Sequence, residues 1–326
     1  MANIWYIQVN RHCNNACHFC SNPSNWNNIS YDRGIELIDD FIKRKYQGVI
    51  FTWGEPTLSP DLPRWIEYAN SKWIENRMIS NWMMCSNPDF IKKLSNSWLK
   101  LIHFSVYSCH KKIHDFLTDT PWSWKKLMIS ITNALNSGIR VQINTVINHY
   151  NQNHLDKTVK FLSKMFPPIN HFIWNNLDPM MIRKTDIALK TLPSFKDFQK
   201  PLQVAMQYLE KEWKTFRIES VPLCYMRWFE WASTETRKII KKEERIVHFL
   251  DERKISIQKA QWFKYDKGEE CSTCDLNDIC AWIWFKKNKK VFWTEHKWYY
   301  SKEKYIPQNL SVIEKENILK KIKNYK

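Results

Sequence analysis

Apolar and polar positions alternate with two periods along the first half of the chain. Period-two or continuous apolar runs predict strands over residues 4–10, 47–52, 77–81, 99–107, 139–147 and 171–175. Between them, apolar residues three and four apart predict helices over 31–44, 62–71, 88–97, 123–136 and 153–165. Such alternation implies an α/β protein with a parallel sheet and helices packed outside it. No internal repeat beyond this βα period is evident. The basic run 315–326 reads as a solvated amphipathic helix.

With 326 residues the chain suits two domains, or one large α/β unit with an appendage. Hydrophobic residues make up 44% and charged residues 25%, which excludes disordered, collagen-like and coiled-coil classes. No apolar run reaches the roughly 18 residues of a membrane span. Residues 1–10 lack the basic-then-apolar pattern of a signal peptide, so a soluble, cytoplasmic protein without a membrane partner is expected. The net charge of +17 favours anionic partners, nucleic acid among them. It also follows from a composition rich in Lys, Asn and Ile, and no arginine-rich stripe or nucleic-acid module accompanies it.

The nine cysteines are an odd number in a chain without a signal, which argues against a disulfide framework. Cys13, Cys17 and Cys20 form a C-x3-C-x2-C group directly after the first predicted strand. Cys271, Cys274 and Cys280 form a C-x2-C-x5-C group, with Cys224 upstream. Thiolates this close in sequence can converge on one metal centre. Three thiolates suit a [4Fe–4S] cluster with one open iron; zinc with His12 or His18 as fourth ligand is the alternative. Cys85 and Cys109 read as small buried thiols.

The first group has Phe19 before its third cysteine, and the second strand runs into Trp53-Gly54-Glu55-Pro56. In this order and spacing, the two motifs resemble the radical S-adenosylmethionine (radical SAM) superfamily over residues 4–178. The resemblance implies a partial (β/α)6 TIM-like barrel over residues 1–215, with its chemistry at the strand C-termini. It implies a [4Fe–4S] cluster on Cys13, Cys17 and Cys20 whose open iron is chelated by SAM. Phe19 would lie near the adenine, while Trp53, Gly54, Glu55 and Pro56 form the loop facing the SAM amino group. Softer matches put Ser80, Asn81, Ser105 and Asn144 at cofactor-facing strand ends, where simple strand-end capping is the alternative.

Residues 216–300 resemble the small Cys-rich auxiliary domains, of SPASM or twitch type, that follow many such barrels, with 301–326 as a basic tail. Cys224, Cys271, Cys274 and Cys280 would then hold a second, auxiliary [4Fe–4S] cluster, or zinc. The implied activity is reductive cleavage of SAM to a 5′-deoxyadenosyl radical, which abstracts hydrogen from a substrate. The expected substrate is a peptide or protein, with RNA, a nucleoside or a small molecule as alternatives. The expected electron donor is a flavodoxin or ferredoxin. A non-catalytic iron–sulfur or zinc protein is the rival from another class.

Two counts are abnormal. Glycine occurs 5 times, where usage near 7% gives about 23, and tryptophan occurs 18 times. Trp53, Trp73, Trp82, Trp98, Trp122 and Trp282 stand in loops and turns where glycine is expected, as at Gly138. A codon UGA that is read as glycine in the source lineage and rendered as tryptophan would explain deficit and excess together. The alternative is a Trp-rich protein whose turns accept the indole. Trp5 and Trp65, in apolar segments, read as genuine.

Overall fold

The computed structural model describes residues 4–22, 25–177, 185–243, 245–248, 250, 255–258, 267, 271–281 and 310–324. They fall into two compact units, 1–144 with 162–170 and 245–257, and 145–161 with 171–244 and 258–326.

In the first unit, β1 (Ile4–Gln8), β2 (Gly48–Thr52), β3 (Glu75–Ser80), β4 (Leu101–Ser105) and the start of β5 (Arg140–Ile147) pair in parallel, each with the next. The helices α1 (Tyr31–Lys43), α2 (Leu62–Ser71), α3 (Pro88–Asn96), α4 (Lys111–Thr118) and α5 (Ser123–Asn136) intervene. β2 is buried along its whole length, as its unbroken apolar run predicts, whereas β5 alternates buried and accessible positions. Because every pair is parallel, the residues after Gln8, Thr52, Ser80 and Ser105 all leave the same end of the sheet. Local chemistry starts these helices: Ser30 accepts from the Arg33 amide at α1, and Asn87 followed by Pro88 starts α3.

The second unit contains β6 (His171–Asn176), parallel to β7 (Thr215–Glu219), with α7 (Asp186–Lys190), α8 (Phe195–Lys211) and α9 (Thr234–Lys241). α6 (Leu155–Met165) and β5 each contribute residues to both units. Phe195, Phe198, Phe216 and Tyr225 form an aromatic core there. β7 was not among the expected strands. It begins where the barrel was expected to end, at residue 215, so pairing with β6 carries the sheet four residues further. β8 (Arg245–His248), parallel to β1, and β9 (Ile255–Gln258) were also not foreseen. The C-terminal run forms α10 (Val312–Asn324), burying Ile318 and Ile322 one turn apart. No described helix is long and apolar enough to cross a membrane.

The turns between helices and strands carry the unusual tryptophans. Trp53, Trp73, Trp82, Trp98 and Trp122 all have left-handed backbone, with φ of 68°, 60°, 71°, 69° and 64°. Trp213 and Trp228, not suspected from the sequence, join them at 55° and 74°. Trp282 lies outside the described residues.

Trp73 and Trp213 are 96% and 95% exposed, so their indoles gain almost nothing from burial. A left-handed L-residue costs about 1–2 kcal/mol, and the extra freedom of glycine in the unfolded chain offsets about 0.4–1 kcal/mol of the relief. Trp73→Gly and Trp213→Gly are therefore each expected to stabilise by about 1 kcal/mol, raising the melting temperature by roughly 2–4 °C. Trp65→Gly is expected to do the reverse, by about 3–5 kcal/mol. Trp65 is fully buried, donates its indole N–H to the Tyr31 carbonyl at 3.0 Å and fills the space that Gly34 leaves. Thermal denaturation of the three variants checks both signs.

Candidate active site

The cysteine loop leaves β1 and is tied down on its backbone. The amides of Ala16 and His18 donate to the carbonyls of Thr118 and Leu117 at the end of α4, at 3.2 and 3.1 Å. The Cys20 amide donates to the Cys17 carbonyl, and Asn22 Nδ2 donates to the Arg11 carbonyl at 2.6 Å. Glu55 donates its amide to the His12 carbonyl at 2.7 Å, and Asn10 Nδ2 returns a bond to the Glu55 carbonyl at 3.1 Å. The two motifs, forty residues apart in sequence, thus form one hydrogen-bonded loop pair. Gly54 makes this possible: its φ is 54°, and a Cβ there would overlap Asn10 and the His12 carbonyl.

Cys13, Cys17 and Cys20 lie within electrostatic reach of one another. Burial, then the Glu55 charge, pushes the Cys13 thiol up to about 11. Burial, then the neighbouring Cys20 and Cys13, raises Cys17 well above its ordinary value. Hydrogen-bond donors reach each sulfur: Asn81 Nδ2 at 3.4 Å and the Asn15 backbone on Cys13, Tyr107 on Cys17, and the Asn22 amide on Cys20 at 3.3 Å. Among the described residues, no three His, Cys, Asp or Glu side chains stand close enough to grip a single ion. The donor set fits a larger polynuclear group: three neighbouring thiols on an anchored loop, with Cys13 and Cys17 disfavoured as isolated anions. Thiols that are protonated when empty must release protons on metallation. Iron uptake at this loop is therefore expected to strengthen as pH rises across the neutral range, measured by anaerobic titration with ferrous iron and sulfide.

Glu55 differs from the expected contact with the SAM amino group. Its carboxyl is fully buried and turned inward. Oε1 accepts from the Thr57 amide and hydroxyl at 3.1 and 2.6 Å and from the Ser80 hydroxyl at 2.9 Å; Oε2 accepts from the Asn81 amide at 2.6 Å. Burial raises its pKa while these donors lower it. Glu55 fastens the loop after β2 to the end of β3, a positioning task. Ser80 is likewise buried in this network, and its hydroxyl also accepts from the Trp82 amide at 2.9 Å. Asn81 is half-buried and does both tasks: its Oδ1 accepts from the Met83 amide at 3.1 Å, capping the turn after β3, while its Nδ2 reaches Asn14 Oδ1 at 2.7 Å and the Cys13 sulfur.

The remaining candidates gather at the same sheet end. Pro56 opens a buried 3-10 turn, Pro56–Leu58. Phe19 packs edge-on against Tyr107 with ring centroids 4.8 Å apart. Ser105 ends β4, whereas its register partner Asn144, expected at the end of the fifth strand, lies inside β5, which runs on to Ile147; both are half-buried. Trp53 is half-buried, with the Arg11 guanidinium 5.0 Å over its ring. Trp82 is fully buried and donates its indole N–H to the Ser105 carbonyl at 2.8 Å. Tyr107 was missed from the sequence; only its place two residues beyond Ser105 pointed to it. Cys85 is buried as expected, while Cys109 is partly exposed.

The second cysteine group lies in the other unit. Cys224, Cys271 and Cys280 are buried and Cys274 is half-buried. The Cys274 amide donates to the Cys271 carbonyl at 3.2 Å, and Leu276, within the motif, is fully buried.

Residues 7–162 match the family model described as the radical SAM superfamily. The AdoMet-dependent heme synthase of Nitratidesulfovibrio vulgaris is 27% identical over 148 residues, 44% of this chain and 40% of that protein. The chain thus spans about two-fifths of that relative's length. Among solved structures, Streptococcus suis SuiB bound to S-adenosylmethionine has a TM-score of 0.64 at 14% identity, covering 88% of this chain and 77% of that one. The structure of anSMEcpe with bound AdoMet and the peptide Cp18Cys has a TM-score of 0.60 at 15% identity, covering 85% and 87%. These structural likenesses are of fold, the α/β half-barrel class expected from the sequence. With its cysteine motif, its Glu55 loop and its parallel strands in this order, the chain carries a radical SAM superfamily domain over residues 7–162.

Proposed function

We propose that this chain is a radical SAM enzyme acting on a peptide or protein. The observation that carries the reading is the union of the two motifs: Glu55 is bonded to His12, while Asn81, held by Glu55, reaches the Cys13 sulfur. Cys13, Cys17 and Cys20 would hold a [4Fe–4S] cluster, and Phe19, Ser105 and Asn144 would face SAM. When bound, the cluster supplies the electron that cleaves SAM to methionine and a 5′-deoxyadenosyl radical able to take hydrogen from substrate. The chain's own task is to hold the thiols, orient SAM at the strand ends and exclude water.

Anaerobic reconstitution followed by strong reductant tests this reading. Formation of 5′-deoxyadenosine from SAM is the expected result, and its absence from an iron-loaded protein would sink it. Four thiols in the second unit support an auxiliary [4Fe–4S] cluster on Cys224, Cys271, Cys274 and Cys280. About eight irons and eight sulfides per chain are then expected, whereas about four irons with one zinc would make that site structural.

A peptide or protein substrate is supported by neighbours of this fold whose structures contain peptides, SuiB with SuiA and anSMEcpe with Cp18Cys. The heme synthase relative favours a small molecule as second reading. Stimulation of 5′-deoxyadenosine formation by a porphyrin and not by peptides would move the assignment there. A flavodoxin- or ferredoxin-type protein is proposed as electron donor. RNA as substrate rests on the +17 charge alone and would need salt-sensitive retention in a gel.

The donors on the three sulfurs bear on reduction. A hydrogen bond to a ligating sulfur stabilises the more negative, reduced form. Tyr107→Phe is therefore expected to lower the potential of the loaded cluster, read by redox titration with electron paramagnetic resonance. An unchanged potential would assign Tyr107 to packing alone.

A further inference from the structure

We infer that positions 53, 73, 82, 98, 122, 213 and 228 are glycine in the protein made by its own cell, from UGA codons read as glycine, whereas Trp5, Trp65, Trp174 and Trp231 are genuine. The inference stands apart from the functional reading, since it rests on backbone geometry. A few per cent of non-glycine residues have positive φ, and bulky ones are the rarest among them. Of the thirteen described tryptophans, seven are left-handed. The other left-handed residues besides glycine are Lys45, Asp119, Ser220 and Lys242, none of them bulky and aromatic.

Three of the seven end helices in one arrangement. At α2 the Trp73 amide donates to Asn70 O at 3.0 Å and the Ile74 amide to Ala69 O at 3.0 Å. At α3 Trp98 and Leu99 donate to Ser95 O and Leu94 O at 2.9 and 3.1 Å. At α8 Trp213 and Lys214 donate to Glu210 O and Leu209 O at 3.2 and 2.9 Å. The end of α5 repeats the pattern with a true glycine: Gly138 and Ile139 donate to Leu135 O and Ala134 O, both at 3.1 Å. Gly138 has φ of 74°. This paired-bond terminus requires a left-handed residue, and glycine is its usual occupant.

Side-chain surroundings agree. Trp73, Trp98, Trp122, Trp213 and Trp228 are all among the exposed large apolar residues. Selection for an indole would leave it packed, as Trp5, Trp65 and Trp174 are, on backbone without positive φ. Trp231, also without positive φ, meets the Phe216 ring at 5.4 Å. Trp53 precedes Gly54, so the loop after β2 reads Gly-Gly-Glu-Pro once the exchange is made. Trp82 is the one buried member; its left-handed φ at the end of β3 places it with the rest.

Tandem mass spectrometry of peptides from the protein purified from its source organism decides, with the gene's codons read alongside. Glycine residue masses and UGA codons at the seven positions, with tryptophan masses and UGG codons at 5, 65, 174 and 231, are expected. Tryptophan masses or UGG codons at the seven overturn the inference, whatever the protein's activity proves to be.

Discussion

Alanine in place of Cys17 is expected to leave the protein folded, to remove the iron held by the N-terminal loop, and to bring 5′-deoxyadenosine formation down to the protein-free level. The loop should survive, because the backbone bonds of Ala16 and His18 to Thr118 and Leu117 flank position 17 and do not involve its side chain. A thiol also packs much as a small apolar group does, so its loss strains little around it. The metal should not survive. A cluster held by three thiolates and sharing its fourth iron with SAM has no spare protein ligand. On the proposed reading with an auxiliary cluster, Cys224→Ala separates the two sites: it is expected to lower the metal content of the second unit while SAM cleavage persists. Iron, sulfide and zinc assays on both variants, beside circular dichroism, check this. Full cleavage by Cys17→Ala would rule out the assigned ligand set.

Much of this was legible in the sequence because it depends on local pattern. The strands from β1 to β6 and the helices α1, α2, α3, α5 and α6 follow from hydrophobic period. The three thiols could be named from spacing, and the loop that joins them from its resemblance to the radical SAM superfamily. What spacing does not carry is where a side chain turns. Glu55 looks like a ligand-facing carboxylate in sequence, yet three hydroxyl or amide donors from Thr57 and Ser80 on one oxygen, and the Asn81 amide on the other, hold it inside. Tyr107 reaches Cys17 across ninety residues, a pairing no motif announces. The suspicion about tryptophan came from composition and turns. It found five of the seven left-handed sites; Trp213 and Trp228 escaped because their segments lie beyond the expected βα pattern.

The double variant Trp53→Gly/Trp82→Gly is expected to gain a SAM site that the Trp-containing recombinant chain lacks. Both indoles stand at the strand ends where SAM is proposed to lie, Trp82 against the Ser105 carbonyl and Trp53 under the Arg11 guanidinium. Removing the buried indole of Trp82 costs about 3–5 kcal/mol, as large-to-small core exchanges do. Relief of left-handed strain returns only about 1–2 kcal/mol. The empty double variant should therefore melt below its parent, opposite in sign to Trp73→Gly and Trp213→Gly. A ligand that fills the vacated space reverses the loss, by about 2.7 kcal/mol at a hundredfold excess over its dissociation constant. Melting curves of the iron-loaded proteins with and without SAM read this directly. A SAM-dependent rise in the variant and none in the parent is the expected pattern. Equal rises in both would show that the indoles lie outside the SAM site, and no rise in either would remove SAM from these strand ends.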